Sequence, residues 1–445
     1  MFQFLEQLLR YGFWVLILGG FLAMASYAWE YIDFFYINTT IGGFMSKQKY
    51  IFVRIFPPAA NKSSIQEMEG FMVALSATYA PKDPLDLYIT GAWHDSFTFE
   101  IHAKEGKVGL YCRMNENKLN LFRSALESRF PGVRIVIAED PLKDFPATWD
   151  LKKGIEGYPT IMGSEMVTAG GEKFLGARPF EGNDIYPIKS WREFQKDDMR
   201  MIADPIVQLF TTLHNASKQH YIIMQYITTP FSQDDLGAKV KDRWKKEFVT
   251  LKAKFATDSK SLGVDTKGEE KADVLLSEQE RKVLDAVGRK ISQQIFKMKL
   301  KLTIFSKEGA QGGEVFQEIS SFLEQYATDI LKFAPRKFCR TWDKDKGGSN
   351  GVLGPWIATI TNQLYWKTQS DFQTKVYYSG VKSRSGSKIG PSKYFSVEEV
   401  AGLFHFPVTS GEDAGKDQLA EMLSIGYGDS EDVSIGSQAP INLPV

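Results

Sequence analysis

A chain of 445 residues has room for two or three domains, and 43% hydrophobic with 24% charged content argues against a disordered protein. Lys plus Arg and Asp plus Glu both number 54, so the net charge is zero. No bulk field draws in a nucleic acid, and any basic surface has to be local. Cys112 and Cys339 lie far apart within strand-like segments, which fits free buried thiols in a reducing compartment better than a disulfide scaffold or a zinc site.

The run Tyr11–Trp29 has no charged side chain and is bounded by Arg10 and Glu30. At about 1.5 Å per residue it just covers a hydrocarbon core of ~30 Å, so it is predicted to be a transmembrane helix. Tyr11, Trp14, Leu16, Leu18, Phe21, Leu22, Tyr27 and Trp29 are its anchor residues, with the aromatic ones suited to the interfacial belts. Ala23-Met24-Ala25 imitates a signal-peptide cleavage site, but apolar and aromatic character continues well past it. Gly12, Gly19 and Gly20 would let a second helix approach, leaving homo-oligomerisation open. Lys47, Lys49 and Arg54 follow the span while only Arg10 precedes it, which predicts a single-pass protein of the inner membrane with its body in the cytoplasm.

After this anchor and connector (residues 1–48) a first domain is predicted over 49–145. Tyr50–Phe56 is a strand stopped by Pro57-Pro58, and Ser64 with Glu67 opens a helix as a capping box. Ser96–His102 and Lys107–Arg113 alternate in period two around Lys104-Glu-Gly106, a hairpin signal. Asn115 caps a helix bearing Leu119, Phe122, Leu126 and Phe130, and Val133–Ala138 is a strand. The order β-α-β-β-α-β is that of a ferredoxin-like unit.

The same order is predicted again over 146–345. A weak strand is placed within Phe174–Phe194, a helix at Pro205–Leu213, strands at His220–Ile227 and Phe296–Phe305, a helix at about Val315–Leu331 and a last strand near Lys337–Trp342. A helical hairpin, 235–295, is inserted between the middle strands. Leu236, Val240, Trp244, Phe248, Leu251 and Phe255 form one apolar stripe; Val283, Val287, Ile291 and Ile295, behind the Ser277–Glu280 cap, form the other. The fold class is therefore α+β: two tandem ferredoxin-like domains, the second with a helical-hairpin insertion, behind a transmembrane helix.

Chemistry is hard to find. Gly106-Lys107 is followed by Val108 and Gly415-Lys416 by Asp417, so neither completes a phosphate-binding loop. Gly347–Gly351 spells a nucleophile elbow in a polar context that lacks the required strand and helix. The five histidines have no metal-ligand spacing, and no catalytic residue, cofactor or metal is predicted. Two basic stretches are candidate contacts for a partner or a nucleic acid: Lys239, Lys241, Arg243, Lys245 and Lys246 on the first hairpin helix, and Lys382, Arg384 and Lys388 in what reads as a Gly/Ser-rich loop. A solvated outer face explains the helix better than a contact does, a plain surface connection explains the loop as well, and neutral overall charge disfavours nucleic acid.

The remaining region, 346–445, reads as loop-rich with one short capped helix, 396–405. Phe395–Pro407 combines a hydrophobic staple (Phe395 with Val400) and a capping box (Ser396 with Glu399). This motif, followed by a closing Ala439–Pro444, resembles part of the conjugation-type coupling ATPases of type IV secretion, particularly uncharacterised versions from candidate-phyla bacteria. The opening Tyr50–Asp140 and the capped helix running into a Lys-alternating strand, Glu278–Phe305, are similar to their membrane-anchored region. In that group a nucleotide-binding domain follows, so no ATP-binding residue carries over here. The anchor, the lack of a catalytic constellation and this resemblance together predict a non-enzymatic scaffold or adaptor of a type IV secretion-like or related envelope machine, with a P-loop ATPase or another secretion-machine subunit as partner. A membrane-tethered nucleic-acid-binding protein and the anchoring region of a coupling ATPase are the alternatives.

Overall fold

The computed structural model describes residues 36, 39–58, 64–79, 84–92, 94–151, 153–170, 183–194, 204–231, 236–261, 277–340, 367–384 and 393–407. The predicted span, from Tyr11 through Trp14, Leu16, Leu18, Phe21, Leu22 and Tyr27 to Trp29, lies outside them, as do Lys388 and the elbow-like Gly347–Gly351. Among the described residues no helix is long and apolar enough to cross a membrane. The chain divides into two compact units, one of residues 1–49 and 80–94, the other of residues 50–79 and 95–445.

In the smaller unit residues 39–47 are helical and Pro84–Ile89 forms a short second helix. Gly91 joins them. Its φ of +70° suits glycine, and a Cβ there would stand 2.2 Å from the Thr40 carbonyl oxygen.

Among the described residues the larger unit is an α+β fold on one antiparallel sheet of nine strands. In chain order it runs β1 (Tyr50–Phe56), α1 (Ile65–Ser76), β2 (Phe97–Lys104), β3 (Lys107–Asn115), α2 (Leu119–Glu127), β4 (Arg134–Ala138), β5 (Thr160–Gly170), α3 (Pro205–Ala216), β6 (His220–Phe231), α4 (Leu236–Ser261), α5 (Glu278–Ser292), β7 (Ile295–Ser306), α6 (Gly312–Glu324), β8 (Leu331–Arg340), α7 (Lys367–Lys382), β9 (Lys393–Ser396) and α8 (Val397–Leu403). The strands lie in the order β4-β1-β3-β2-β6-β7-β5-β8, with β9 pairing β7. Each half thus orders its strands fourth, first, third, second. The two second strands, β2 and β6, pair edge to edge and fuse the halves (Phe97 opposite Thr228, Ala103 opposite Ile222).

Local chemistry explains most boundaries. The β2–β3 hairpin closes on Glu105 and Gly106, both at positive φ (54° and 75°), which matches the right-handed twist of the strands it joins. Asn115 accepts from the Asn117 amide to start the turn into α2, and Asp204 accepts from the Ile206 amide ahead of Pro205 to start α3. Both halves of the capping box are present at Ser277–Glu280 and at Ser396–Glu399.

Four elements differ from the sequence reading, and the Ser64 side chain makes no capping bond to the helix it precedes. The first strand of the second half is Thr160–Gly170, not within 174–194, where the described residues hold only short 3₁₀ turns at Asn183–Ile185 and Trp191–Phe194. Lying between β7 and β8 and buried on both faces, β5 has none of the alternation that marks a half-exposed strand. The helix predicted to reach Leu331 ends at Glu324, and the last strand begins at Leu331, ahead of the predicted Lys337. Lys375–Lys382, read as a loop, is the end of helix α7. Thr374, Tyr377, Tyr378 and Val381 are buried along it at i, i+3, i+4 and i+7, a helical stripe obscured by its serines and Gly380.

One face of the sheet is covered by α1, α2, α3, α6 and α8 around a large core that includes Phe71, Phe99, Phe122, Leu209, Tyr226, Phe322 and Phe404. The opposite face carries a smaller core in which Tyr377, Tyr378 and Val381 of α7 meet Tyr221, Ile223 and Phe305. The α4–α5 hairpin packs Val240, Trp244, Leu251 and Phe255 against Leu284 and Val287.

Candidate functional site

Period two puts residues of one parity on each face of a strand, and register then lines them up across the sheet. On the face that α7 covers, a single row runs Arg54, Tyr111, Glu100, Gln225, Lys301, Glu165, Arg336 through β1, β3, β2, β6, β7, β5 and β8. The charged members alternate in sign, and Glu100, Gln225, Lys301 and Glu165 are fully buried. Polar groups taken out of water at this density have to find partners.

Their partners come largely from the end of α7. Arg384, just past the helix, is buried and directs Nε to Glu100 Oε1 at 2.9 Å and Nη1 to Asp140 Oδ2 at 2.6 Å. Its backbone sits at φ +51°, a left-handed conformation rare for a residue with a side chain, and its guanidinium lies 4.5 Å over the Phe52 ring. Glu100 also meets His102 Nε2 at 2.7 Å and accepts from Gln225 Nε2 at 2.7 Å. Tyr221 closes the chain against His102 Nδ1 at 2.6 Å. Burial by itself would raise the Glu100 pKa, but Arg384 and His102 outweigh it and hold the carboxyl at about 2.

The same row caps the C-terminus of α7, where backbone carbonyls lack helical donors and the helix dipole is negative. Lys301 Nζ donates to Gly380 O at 2.9 Å, Gln225 Nε2 to Val381 O at 3.1 Å, and Arg384 Nη1 to Lys382 O at 2.9 Å. Burial and the neighbouring Lys299 pull Lys301 down to about 7, against the carboxylates of Glu165 and Glu100. Tyr377 hydroxyl reaches Leu302 O (2.8 Å), Ser164 O (3.1 Å) and Thr303 Oγ1 (3.2 Å).

A second clamp closes the helix-covered face. Every residue of α8 is buried. Glu399 pairs with Lys290 at 3.0 Å and accepts from the Ile188 amide at 2.8 Å. Glu398 takes Arg192 Nε at 3.1 Å and Gln293 Nε2 at 2.6 Å. His405 Nε2 meets Asp204 Oδ1, the cap of α3, at 2.9 Å. Phe404 packs 4.8 Å from Phe99 of β2 and 5.7 Å from Tyr226 of β6, touching both halves at the strand pair that joins them.

The predicted contact residues separate on this geometry. Arg384 is an internal clamp, and Lys382 donates to the Phe145 carbonyl. Lys241 is buried, which lowers its pKa together with the nearby charge of Lys245. Arg243 pairs with Asp184 at 2.7 Å and with Glu247 at 3.6 Å. Lys245 and Lys246 are exposed, Lys245 with Asp242 at 3.8 Å; the side chain of Lys239 lies outside the described residues. Among the described residues, Lys241 and Arg384 of the two stretches are buried in different parts of the fold, while Lys245 and Lys246 face outward. Among the described residues no group of His, Cys, Asp or Glu is placed to hold a metal ion. The clamp partners Glu100, Asp140 and Gln225 carried no sequence signal, since pairing across β2 and β6 depends on a register that only the folded sheet fixes.

Residues 47–332, well over half of the chain, match a family described as a domain of unknown function, DUF8128. The chain belongs to the DUF8128 family. No curated protein matches it. The DUF8128 match takes in Glu100, Gln225, Lys301 and Lys290, while Arg384, Glu398, Glu399 and Phe404 lie beyond it. Both clamps therefore join the DUF8128 region to the segment that follows it.

Proposed function

We propose that this protein is a non-enzymatic, membrane-anchored scaffold or adaptor of a type IV secretion-like envelope machine, its body two fused ferredoxin-like units in the cytoplasm. The observation that carries the reading is the internal use of its reactive-looking groups. Glu100, His102, Tyr221 and Arg384, which in an open cleft would suit acid–base work, are buried under α7 and saturated by one another. A rigid platform needs such fixed contacts; a turnover site needs access for substrate. The uncharged run Tyr11–Trp29 supports the anchor, and Lys47, Lys49 and Arg54 behind it support the cytoplasmic side. Buried, free Cys112 fits a reducing compartment. The resemblance of Phe395–Pro407 to coupling ATPases supports a P-loop ATPase, or another subunit of such a machine, as partner.

The test is affinity purification of the full chain from detergent-solubilised membranes, with size determination. Recovery of a stoichiometric partner is expected. A strictly monomeric chain that brings down nothing refutes the reading. Nucleic-acid binding is the weaker alternative because Arg384, Lys382 and Lys241 are committed to internal contacts and Arg243 is paired with Asp184. Salt-sensitive retention of DNA that is lost in K245E/K246E would reverse that preference.

A further inference from the structure

We infer that Tyr36, Leu85, Tyr88 and Ile89 of the smaller unit form a surface that rests in the headgroup layer of a lipid bilayer. The inference builds on the proposed anchor. Leu85 and Ile89 are 65% and 73% exposed and stand four residues apart, one helical turn, with Tyr88 (41%) beside them. Tyr36, 52% exposed, donates its hydroxyl to the Tyr88 carbonyl at 3.1 Å, so two distant parts of the chain present one amphipathic patch.

That patch is held as a unit. Gly91 brings the chain after Pro84–Ile89 against the Thr40 carbonyl with no room for a Cβ, and Thr90 closes the helix by donating its amide (2.9 Å) and hydroxyl (2.7 Å) to the Asp86 carbonyl. Leucine and isoleucine with tyrosines at their edge are the composition of an interfacial segment, the tyrosines combining an apolar ring with a hydroxyl that stays wet.

Position along the chain selects the occupant. Tyr36 comes seven residues after Trp29, the end of the predicted span. Seven residues reach about 10 Å as a helix and no more than ~25 Å fully extended, so the patch stays near the membrane surface. Lys47 and Lys49 in the same unit are exposed and complement anionic headgroups; exposed Asp86, the neighbour of Leu85, has to face water.

The experiment places benzoylphenylalanine at Leu85 or Ile89 of the full chain, reconstituted in vesicles of phosphatidylethanolamine and phosphatidylglycerol. After irradiation the products are read by mass, and a parallel sample is extracted with alkaline carbonate. The expected result is retention in the pellet with a mass increase of one phospholipid at both positions. Retention without a lipid adduct overturns the headgroup contact and leaves the anchor standing. A cross-linked dimer instead of a lipid adduct assigns the patch to a second copy and also overturns it. Release by carbonate removes the anchor and the inference with it. Gly91→Ala, which drives a Cβ into the Thr40 carbonyl, is expected to lower the lipid adduct at Ile89 while leaving the chain in the pellet.

Discussion

Replacing Arg384 with Met removes the charge that faces Glu100 while keeping a long apolar stem over Phe52. Met carries the same left-handed backbone penalty at φ +51°, so the substitution reports the lost ion pair rather than relieved strain. Breaking a buried pair by removing one partner costs roughly 3–5 kcal/mol, because the other charge is left uncompensated. Glu100 retains His102 and Gln225 at 2.7 Å each, which puts the expectation at the low end, about 3 kcal/mol. At about 2 °C per kcal/mol for a large unit, the melting temperature of the full chain in detergent falls by about 6 °C.

The pH dependence gives a second reading of the same pair. The Glu100 carboxyl titrates at about 2 in the folded chain, against an ordinary value of 4.5. Between those values the unfolded chain binds the extra proton, so the contribution is complete above about pH 4.5 and is lost as pH falls through about 2. The gap in melting temperature between wild type and R384M is therefore wide near neutrality and closes in acid. A cycle of R384M, E100Q and the double variant isolates the pair. Coupling below about 0.5 kcal/mol, or a gap that does not change with pH, would refute the assignment.

Three further outcomes follow from the same geometry. Gly163→Ala places a Cβ 2.6 Å from the Tyr377 ring and 2.9 Å from Leu302 O, so thermal denaturation should show a loss of about 1–3 kcal/mol and faster proteolysis within α7. Glu399→Gln leaves Lys290 buried without its counter-charge and should cost about 3 kcal/mol, against about 1 kcal/mol for Ser396→Ala, which removes only the cap; equal losses would make Glu399 a capping residue alone. Burial, with the charge of Glu100, pushes the Cys112 thiol up, so a disulfide reagent should leave it unmodified in the native chain at pH 8 and modify it at the rate of unfolding.

Much of the fold was legible because local signals and periodicity agreed. The β2–β3 hairpin, the α4–α5 stripes and the caps at Ser277 and Ser396 each combine a turn or capping residue with a clean apolar repeat. Reading failed where burial is two-sided, as in β5, or where polar residues carry an apolar function, as in α7. There Thr374 occupies a core position and Lys382 and Arg384 turn inward. The candidate site was the least legible part. Arg384 stands out in the sequence for its charge alone, whereas its partners Glu100 and Asp140 are brought to it by register and chain return.

The two clamps explain why a doubled sheet needs the segment beyond its last strand. Joining the halves through β2 and β6 removes two exposed edges but creates a seam, and on each face that seam needs a cover. Each half brings two helices of its own to one face, α1 and α2 from the first and α3 and α6 from the second. At the joint, Phe99 and Tyr226 come from different halves, and Phe404 packs on both. On the opposite face Glu100 and Gln225 stand directly across the joint, and Arg384 and the end of α7 satisfy them together. A single chain segment cannot be two-fold symmetric, so the duplicated strand order is closed by two unlike parts, one apolar and aromatic, the other charged. The density of aromatic and acidic residues in Phe395–Pro407 then follows from its place: it fills one face of the seam with Phe404 while Glu398 and Glu399 tie it to Arg192 and Lys290 of the second half.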